Sequence, residues 1–112
     1  MTNYIFDIDG TLTPSRMKIN SNFESFFSNW IKDKQVFLVT GSDKDKTVEQ
    51  IGENIWSNVT CVYQSCGNQV WKNTKLIKEN SFFIDSRIKN TLDTYIEKSE
   101  WKFKFDNNFE QR

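Results

Sequence analysis

The sequence predicts an α/β fold, a parallel sheet with covering helices plus a β-hairpin. Three observations predict it. The runs Tyr4-Ile5-Phe6 and Val36-Phe37-Leu38-Val39 are short, apolar and end in acidic or turn-forming residues, as buried strands do. The segments that follow them carry apolar residues at helical spacing. The order strand, helix, strand, helix, strand is that of parallel strands joined by helical crossovers.

Each element has its own warrant. The first strand ends at Asp7, and Gly10, Thr13 and Pro14 mark the loop after it. Phe23, Phe26, Phe27, Trp30 and Ile31 recur at i, i+3, i+4, i+7 and i+8, the stripe of an amphipathic helix, with Asn20, Ser21 or Asn22 as its N-cap. The second strand, residues 36–39, runs into Thr40-Gly41-Ser42-Asp43. Val48, Ile51 and Ile55 suit a helix that begins near Asp43, with Gly52 weakening its end. Residues 59–63 read as a third strand. Gln69-Val70-Trp71 and Lys75-Leu76-Ile77 flank Lys72-Asn73-Thr74 as a hairpin. Phe82-Phe83-Ile84 is a short apolar piece of open type. Ile88, Leu92, Tyr95 and Ile96 mark a further helix capped by Asp85 or Ser86. Trp101, Phe103 and Phe105 alternate with Lys102 and Lys104, a period-two strand, and Asn107-Asn108 forms a turn.

Composition excludes several classes of function. The 112 residues suffice for one modest core. Lys plus Arg and Asp plus Glu both number 15, so no net field draws the chain to nucleic acid or to an anionic membrane. No apolar run is long enough to cross a bilayer, and the N-terminus has no secretory pattern. The expected location is therefore cytoplasmic. There Cys61 and Cys66 are reduced thiols, with Cys66 read as a small buried thiol near a turn. The chain has no histidine, which removes Ser-His-Asp and Cys-His catalysis and imidazole-based zinc sites.

The unusual segment is Asp7-Ile8-Asp9-Gly10-Thr11, at a strand end where parallel sheets bind ligands. Carboxylates at i and i+2 reach one side of the sheet edge and repel each other. A divalent cation between them and a substrate phosphate relieves that repulsion, and all-oxygen ligation is what Mg2+ prefers. Asp7 is then placed to attack phosphorus and Asp9 to act as general acid and base. Gly10 permits a sharp turn, and Thr11 offers a hydroxyl and an N–H to phosphate oxygens. The plain alternative is a strand end followed by a turn. Thr40-Gly41-Ser42-Asp43 divides the same way, between an ordinary helix cap and a phosphate site at a helix start.

"FDIDGTLTPSR" resembles the first motif of the haloacid dehalogenase-like (HAD) superfamily of phosphatases and phosphomutases. The Arg16 spacing and "LVTGSDKDKTVEQIG" resemble its eukaryotic-type phosphomannomutase branch, although Thr40 stands where that branch usually has Gly. "SCGNQVWKNTKLI" is similar to its Asn-Gly loop and hairpin, with Cys66 where Asn is common. The resemblance implies a Rossmann-like core over residues 1–84 and the beginning of a cap domain over residues 85–112. It also implies Asp7 as nucleophile, Asp9 as general acid/base, and both as holders of Mg2+. Gly10, Thr11, Arg16, Thr40, Gly41 and Ser42 are then the expected phosphate-binding residues.

The implied activity is phosphoryl transfer on a hexose phosphate through an aspartyl-phosphate. The alternatives are a sugar phosphatase with water as acceptor, or a non-catalytic remnant that binds phosphate or a protein. A homodimer through the cap is consistent with the resemblance. The family continues through its cap to a Lys and an acidic metal-binding segment not seen in these 112 residues. Low or absent activity of the chain by itself is therefore expected.

Overall fold

The computed structural model describes residues 2–80 and 84–100. They divide into two compact units, one within Met1–Asn80 and the other within Ser81–Gln111. The first unit contains β1 (Asn3–Asp7), α1 (Ser21–Trp30), a 3-10 turn (Ile31–Asp33), β2 (Gln35–Val39), α2 (Lys44–Asn58) and β3 (Cys61–Gln64). A second 3-10 turn (Ser65–Gly67) and the hairpin β4 (Gln69–Lys72) and β5 (Lys75–Glu79) complete it. The second unit holds α3 (Ser86–Lys98).

All five strands form one sheet in chain order. β1, β2 and β3 pair in parallel, and β3, β4 and β5 pair antiparallel, so the hairpin extends the parallel sheet. The expected strands, helices and hairpin are all present up to residue 80. The hairpin turn is shorter than the expected three residues, because Lys72 belongs to β4. Asn73 and Thr74 both have positive φ, the two-residue form that matches the twist of paired strands. Val59 caps α2 instead of opening β3. Ile31 starts a 3-10 turn after α1. Phe82, Phe83 and the segment from Trp101 through the turn at Asn107-Asn108 lie outside the described residues.

The helices begin where side chains satisfy their first N–H groups. Asn20 Oδ1 accepts from the N–H groups of Asn22 (3.0 Å) and Phe23 (3.1 Å). Asp43 Oδ1 accepts from Lys46 N–H at 2.9 Å. Asp85 caps α3 through Arg87 N–H.

One sheet face carries the core. Val36, Leu38 and Val62 pack there with Phe27, Ile31, Ile51, Ile55 and Trp56. Tyr4 and Phe6 meet Trp30 and Phe27 edge to face, at 4.9 and 5.3 Å between ring centroids. The hairpin is tied in by Trp71, 5.5 Å from Trp56. The Lys44 ammonium lies over both indoles, at 4.8 and 4.7 Å.

The opposite face corrects the expectation of fully buried strands. Ile5 is 68% exposed and Val39 38%, and with Asn3, Phe37 and Tyr63 they line a shallow apolar groove. The reason is topological. β1, β2 and β3 follow each other in one direction, and right-handed crossovers then put both connecting helices on the same side.

Gly52 also departs from its expected role. It does not end α2 but interrupts it, with φ 84° and ψ 156°, and the helix resumes to Asn58. A side chain there would be strained at that φ and would meet Glu24 Oε1 of α1 at 2.7 Å. The interruption leaves the Gln50 carbonyl to accept from Ile19 N–H at 2.8 Å, which ties the loop after β1 to α2.

Candidate active site

Three loops leave the sheet at the C-terminal ends of β1, β2 and β3. Asp7 is the last residue of β1 and is paired in register with Val39, so the first two loops emerge side by side. The second and third loops are joined by backbone hydrogen bonds. Ser65 N–H donates to Ser42 O (2.8 Å), Cys66 N–H to Thr40 O (3.0 Å), and Thr40 N–H to Tyr63 O (3.0 Å). Beneath them Gln64, fully buried, donates to Thr47 Oγ1 at 2.8 Å and accepts from Trp56 Nε1 at 3.5 Å. Buried amides satisfied on both sides in this way fix the loop bases.

The first loop is a tight wrap. The N–H groups of Thr11, Leu12 and Thr13 all point at Ile8 O, at 3.0–3.2 Å, and Gly10 N–H donates to Thr13 O at 2.8 Å. Gly10 takes φ 74°, the left-handed conformation that glycine adopts without a Cβ penalty. Thr11 therefore spends its N–H inside the loop and keeps an exposed hydroxyl for a ligand. Ile8 and Leu12 are buried and anchor the wrap to the core.

Asp7 is exposed and Asp9 half-buried, and neither is in a salt bridge among the described residues. Asp9 Oδ1 accepts from Arg16 N–H at 2.9 Å and from Gln50 Nε2 at 2.5 Å. The Gln50 amide, and after it the Arg16 N–H, hold the Asp9 carboxyl below the usual carboxylate range, because both donors favour its charged form. Arg16 reaches Asp9 through its backbone, at a φ of 59° unusual for a non-glycine residue, while its side chain is exposed.

Thr40 and Ser42 are buried and Gly41 is exposed. Thr40 Oγ1 accepts from Ser42 N–H at 3.1 Å, which leaves the Thr40 hydroxyl proton to donate elsewhere. Asp43 caps the start of α2, so part of that helix terminus is already satisfied.

Cys66 is exposed, against the expectation of a buried thiol, because its residue takes φ 57° and ψ 33° in a left-handed turn. Its Sγ lies 3.5 Å from where a Cβ on Gly41 would be. Left-handed backbone costs an L-residue about 1–2 kcal/mol, and Asn bears it more easily. Cys66→Asn is accordingly expected to raise stability by about 0.5–1 kcal/mol, read as a higher urea midpoint at unchanged slope. Both thiols are free, and burial pushes the Cys61 thiol up.

The residue that the sequence reading missed is Gln50. It is 1% exposed and bonds across 41 residues to Asp9. The signal was a polar residue beside Ile51 on the apolar stripe of a helix, three residues after Thr47, which is also buried.

No protein-family model matches the chain. Curated relatives do. Phosphomannomutase 1 of Mus musculus is 33% identical over 79 residues, 69% of this chain and 30% of that protein. The phosphomannomutase of Dendrobium officinale is 36% identical over 78 residues, 70% and 31% of the two chains. The chain thus spans about a third of the length of these relatives.

Solved structures share the fold at low identity. A haloacid dehalogenase-like hydrolase from B. subtilis superposes with TM-score 0.60 at 19% identity, over 87% of this chain and 33% of that one. A HAD subclass IIB sugar phosphatase gives TM-score 0.59 at 20% identity, over 88% and 38%. Among the described residues no helix is long and apolar enough to cross a membrane.

Proposed function

We propose a phosphoryl-transfer function on the premise that the chain belongs to the haloacid dehalogenase-like superfamily, with sequence relatives among the phosphomannomutases. The substrate is a hexose phosphate, the nucleophile Asp7 and the general acid/base Asp9. The observation that supports this most is the pairing of an exposed Asp7 with an Asp9 held in place, at the strand ends where parallel sheets bind ligands. In this reading residues 1–84 are the core, residues 85–112 belong to a cap, and the setting is the cytoplasm.

The steps follow from the residues. A carboxylate oxygen of Asp7 bonds to phosphorus as the bond from phosphorus to the sugar oxygen breaks. Asp9 gives that oxygen its proton. An acceptor hydroxyl then loses its proton to Asp9 and takes the phosphoryl group, and Asp7 is regenerated. The donors on Asp9 favour its ionised form, the form that the second step needs. A bound phosphate, by its negative charge, raises the Asp9 pKa toward the protonated form that the first step needs.

Mg2+ fits the donor set, which is hard oxygen throughout and includes carboxylates that are in no salt bridge among the described residues. Asp7 through its carboxylate and Asp9 through its backbone carbonyl would hold it, and it would supply charge neutralisation for the phosphate. The Gly10–Thr11 turn, Arg16 and the Thr40-Gly41-Ser42 turn bind phosphate oxygens.

The test is phosphate release and sugar phosphate interconversion, with and without Mg2+, on p-nitrophenyl phosphate and several hexose phosphates. Interconversion marks a mutase, and free phosphate from hexose phosphates marks a phosphatase. Mg2+-independent background with every substrate, in this chain and in any longer form of the protein, would sink the proposal. A narrower check concerns Thr40. Thr40→Ala loses one hydroxyl donor and is expected to weaken vanadate inhibition about three- to tenfold, whereas Thr40→Ser keeps it. Equal inhibition of both variants with a lower melting temperature for Thr40→Ala would make Thr40 a cap only.

A further inference from the structure

We propose that Gln50 is a positioning residue for Asp9: its side-chain amide and the Arg16 N–H together grip Oδ1, so that Oδ2 is the oxygen turned to the reacting groups. The inference rests on the acid–base reading of Asp9 and deepens it.

Four observations carry it. Both hydrogen bonds on the Asp9 carboxylate fall on Oδ1, from Gln50 Nε2 and from Arg16 N–H. Two donors on one oxygen, one from a buried side chain and one from the backbone, hold the Asp9 side chain in one rotamer. The Gln50 amide is itself fixed, with Nε2 also 3.4 Å from Thr13 Oγ1 and 3.5 Å from Met17 O. Its backbone is fixed as well, since Gln50 O accepts from Ile19 N–H where Gly52 interrupts the helix. Finally, Gln50 Oε1 is buried with no hydrogen-bond partner among the described residues.

That last observation separates positioning from plain structure. An unpartnered buried oxygen costs stability, and an apolar side chain of the same length would fill the space without that cost. Such costs persist in folded proteins where a group serves the site. What the amide provides and a methionine does not is a donor aimed at Asp9. Held at one oxygen, the carboxylate presents the other in a fixed direction, as an acid or base must be to reach the proton it moves.

The first test uses the 112-residue chain and needs no turnover. Three-bond Hα–Hβ couplings of Asp9, measured by NMR, report its side-chain rotamer. Values of a single rotamer are expected in the native chain. Gln50→Met removes the donor and the orphan oxygen together. It is expected to melt at or above the native temperature while the Asp9 couplings average between rotamers. Unchanged couplings in folded Gln50→Met overturn the proposal. If that variant does not fold, Gln50→Leu also removes the donor, and unchanged couplings there overturn it equally.

The second test uses whichever form of the protein turns over hexose phosphates. Gln50→Met is expected to lower kcat on a hexose phosphate about 10- to 100-fold at unchanged KM, a part of what a positioned acid supplies. With p-nitrophenyl phosphate, whose leaving group departs without a proton, the loss is expected to stay within about threefold. Equal losses on both substrates overturn the positioning role. If Asp9→Asn affects neither substrate, the acid–base reading fails, and that result is distinct from a failure of the Gln50 grip.

Discussion

Asp7→Asn is expected to abolish phosphoenzyme formation. In the proposed mechanism Asp7 forms the bond to phosphorus, and an amide is neither charged nor nucleophilic enough to replace it. Loss of a nucleophile reduces turnover on the order of ten-thousandfold or more. Asp9→Asn, which removes a positioned acid/base, is expected to cost about a hundred- to ten-thousandfold and to leave substrate binding largely intact. The measurement is acid-quenched trapping of radiolabelled protein after exposure to labelled sugar phosphate, with hydroxylamine used to release acyl-phosphate. Asp7→Ala serves as a control against slow deamidation of the new Asn. Label retained in Asp7→Ala would move the nucleophile to another residue. The exposure of Asp7 at the end of β1 predicts that the fold survives these substitutions, so lost label would not be a symptom of unfolding.

The largest effect on stability is expected at Leu38. It is fully buried on β2, between Phe6 of β1 and Val62 of β3 in register. Leu38→Ala removes packing from a position where three strands meet both helices, and large-to-small changes at such sites cost about 2–5 kcal/mol. Domains of this size are stable by roughly 5–15 kcal/mol, so this one substitution removes a substantial share. Chemical denaturation followed by tryptophan fluorescence would show a lower midpoint. A loss under about 1 kcal/mol would mean that β2 is not the centre of the core. Ile5→Ala is the natural comparison, since Ile5 lies on the exposed face and has little burial to lose.

How much of this was legible in the sequence depends on the range of the interactions. α1 could be read because its aromatic stripe and its Asn20 cap are both local patterns in the sequence. The strand ends could be read because Asp7, Gly10 and Thr40-Gly41 interrupt apolar runs within a few residues. Gly52 was visible as a weak helix residue, but the room it leaves for Glu24 of the neighbouring helix is contained in no local pattern. The open sheet face was hidden for a related reason. A run such as Val36-Phe37-Leu38-Val39 is apolar at every position, so it does not say which side is covered. Gln50 was hardest, because its meaning lies in a partner 41 residues away.

The meeting of Trp56 and Trp71 has an optical consequence. Two indoles 5.5 Å apart and inclined at 63° couple their excited states, so the pair should contribute an exciton couplet to the circular dichroism that neither ring produces alone. The rings come from α2 and β4, on either side of β3, and no short peptide holds them together. The couplet therefore exists only while the hairpin is docked on the helix. Lys44→Met, which removes the ammonium lying over both rings, provides a way to loosen that joint without touching the chromophores. The protein thus carries its own spectroscopic gauge of whether the hairpin is docked against α2.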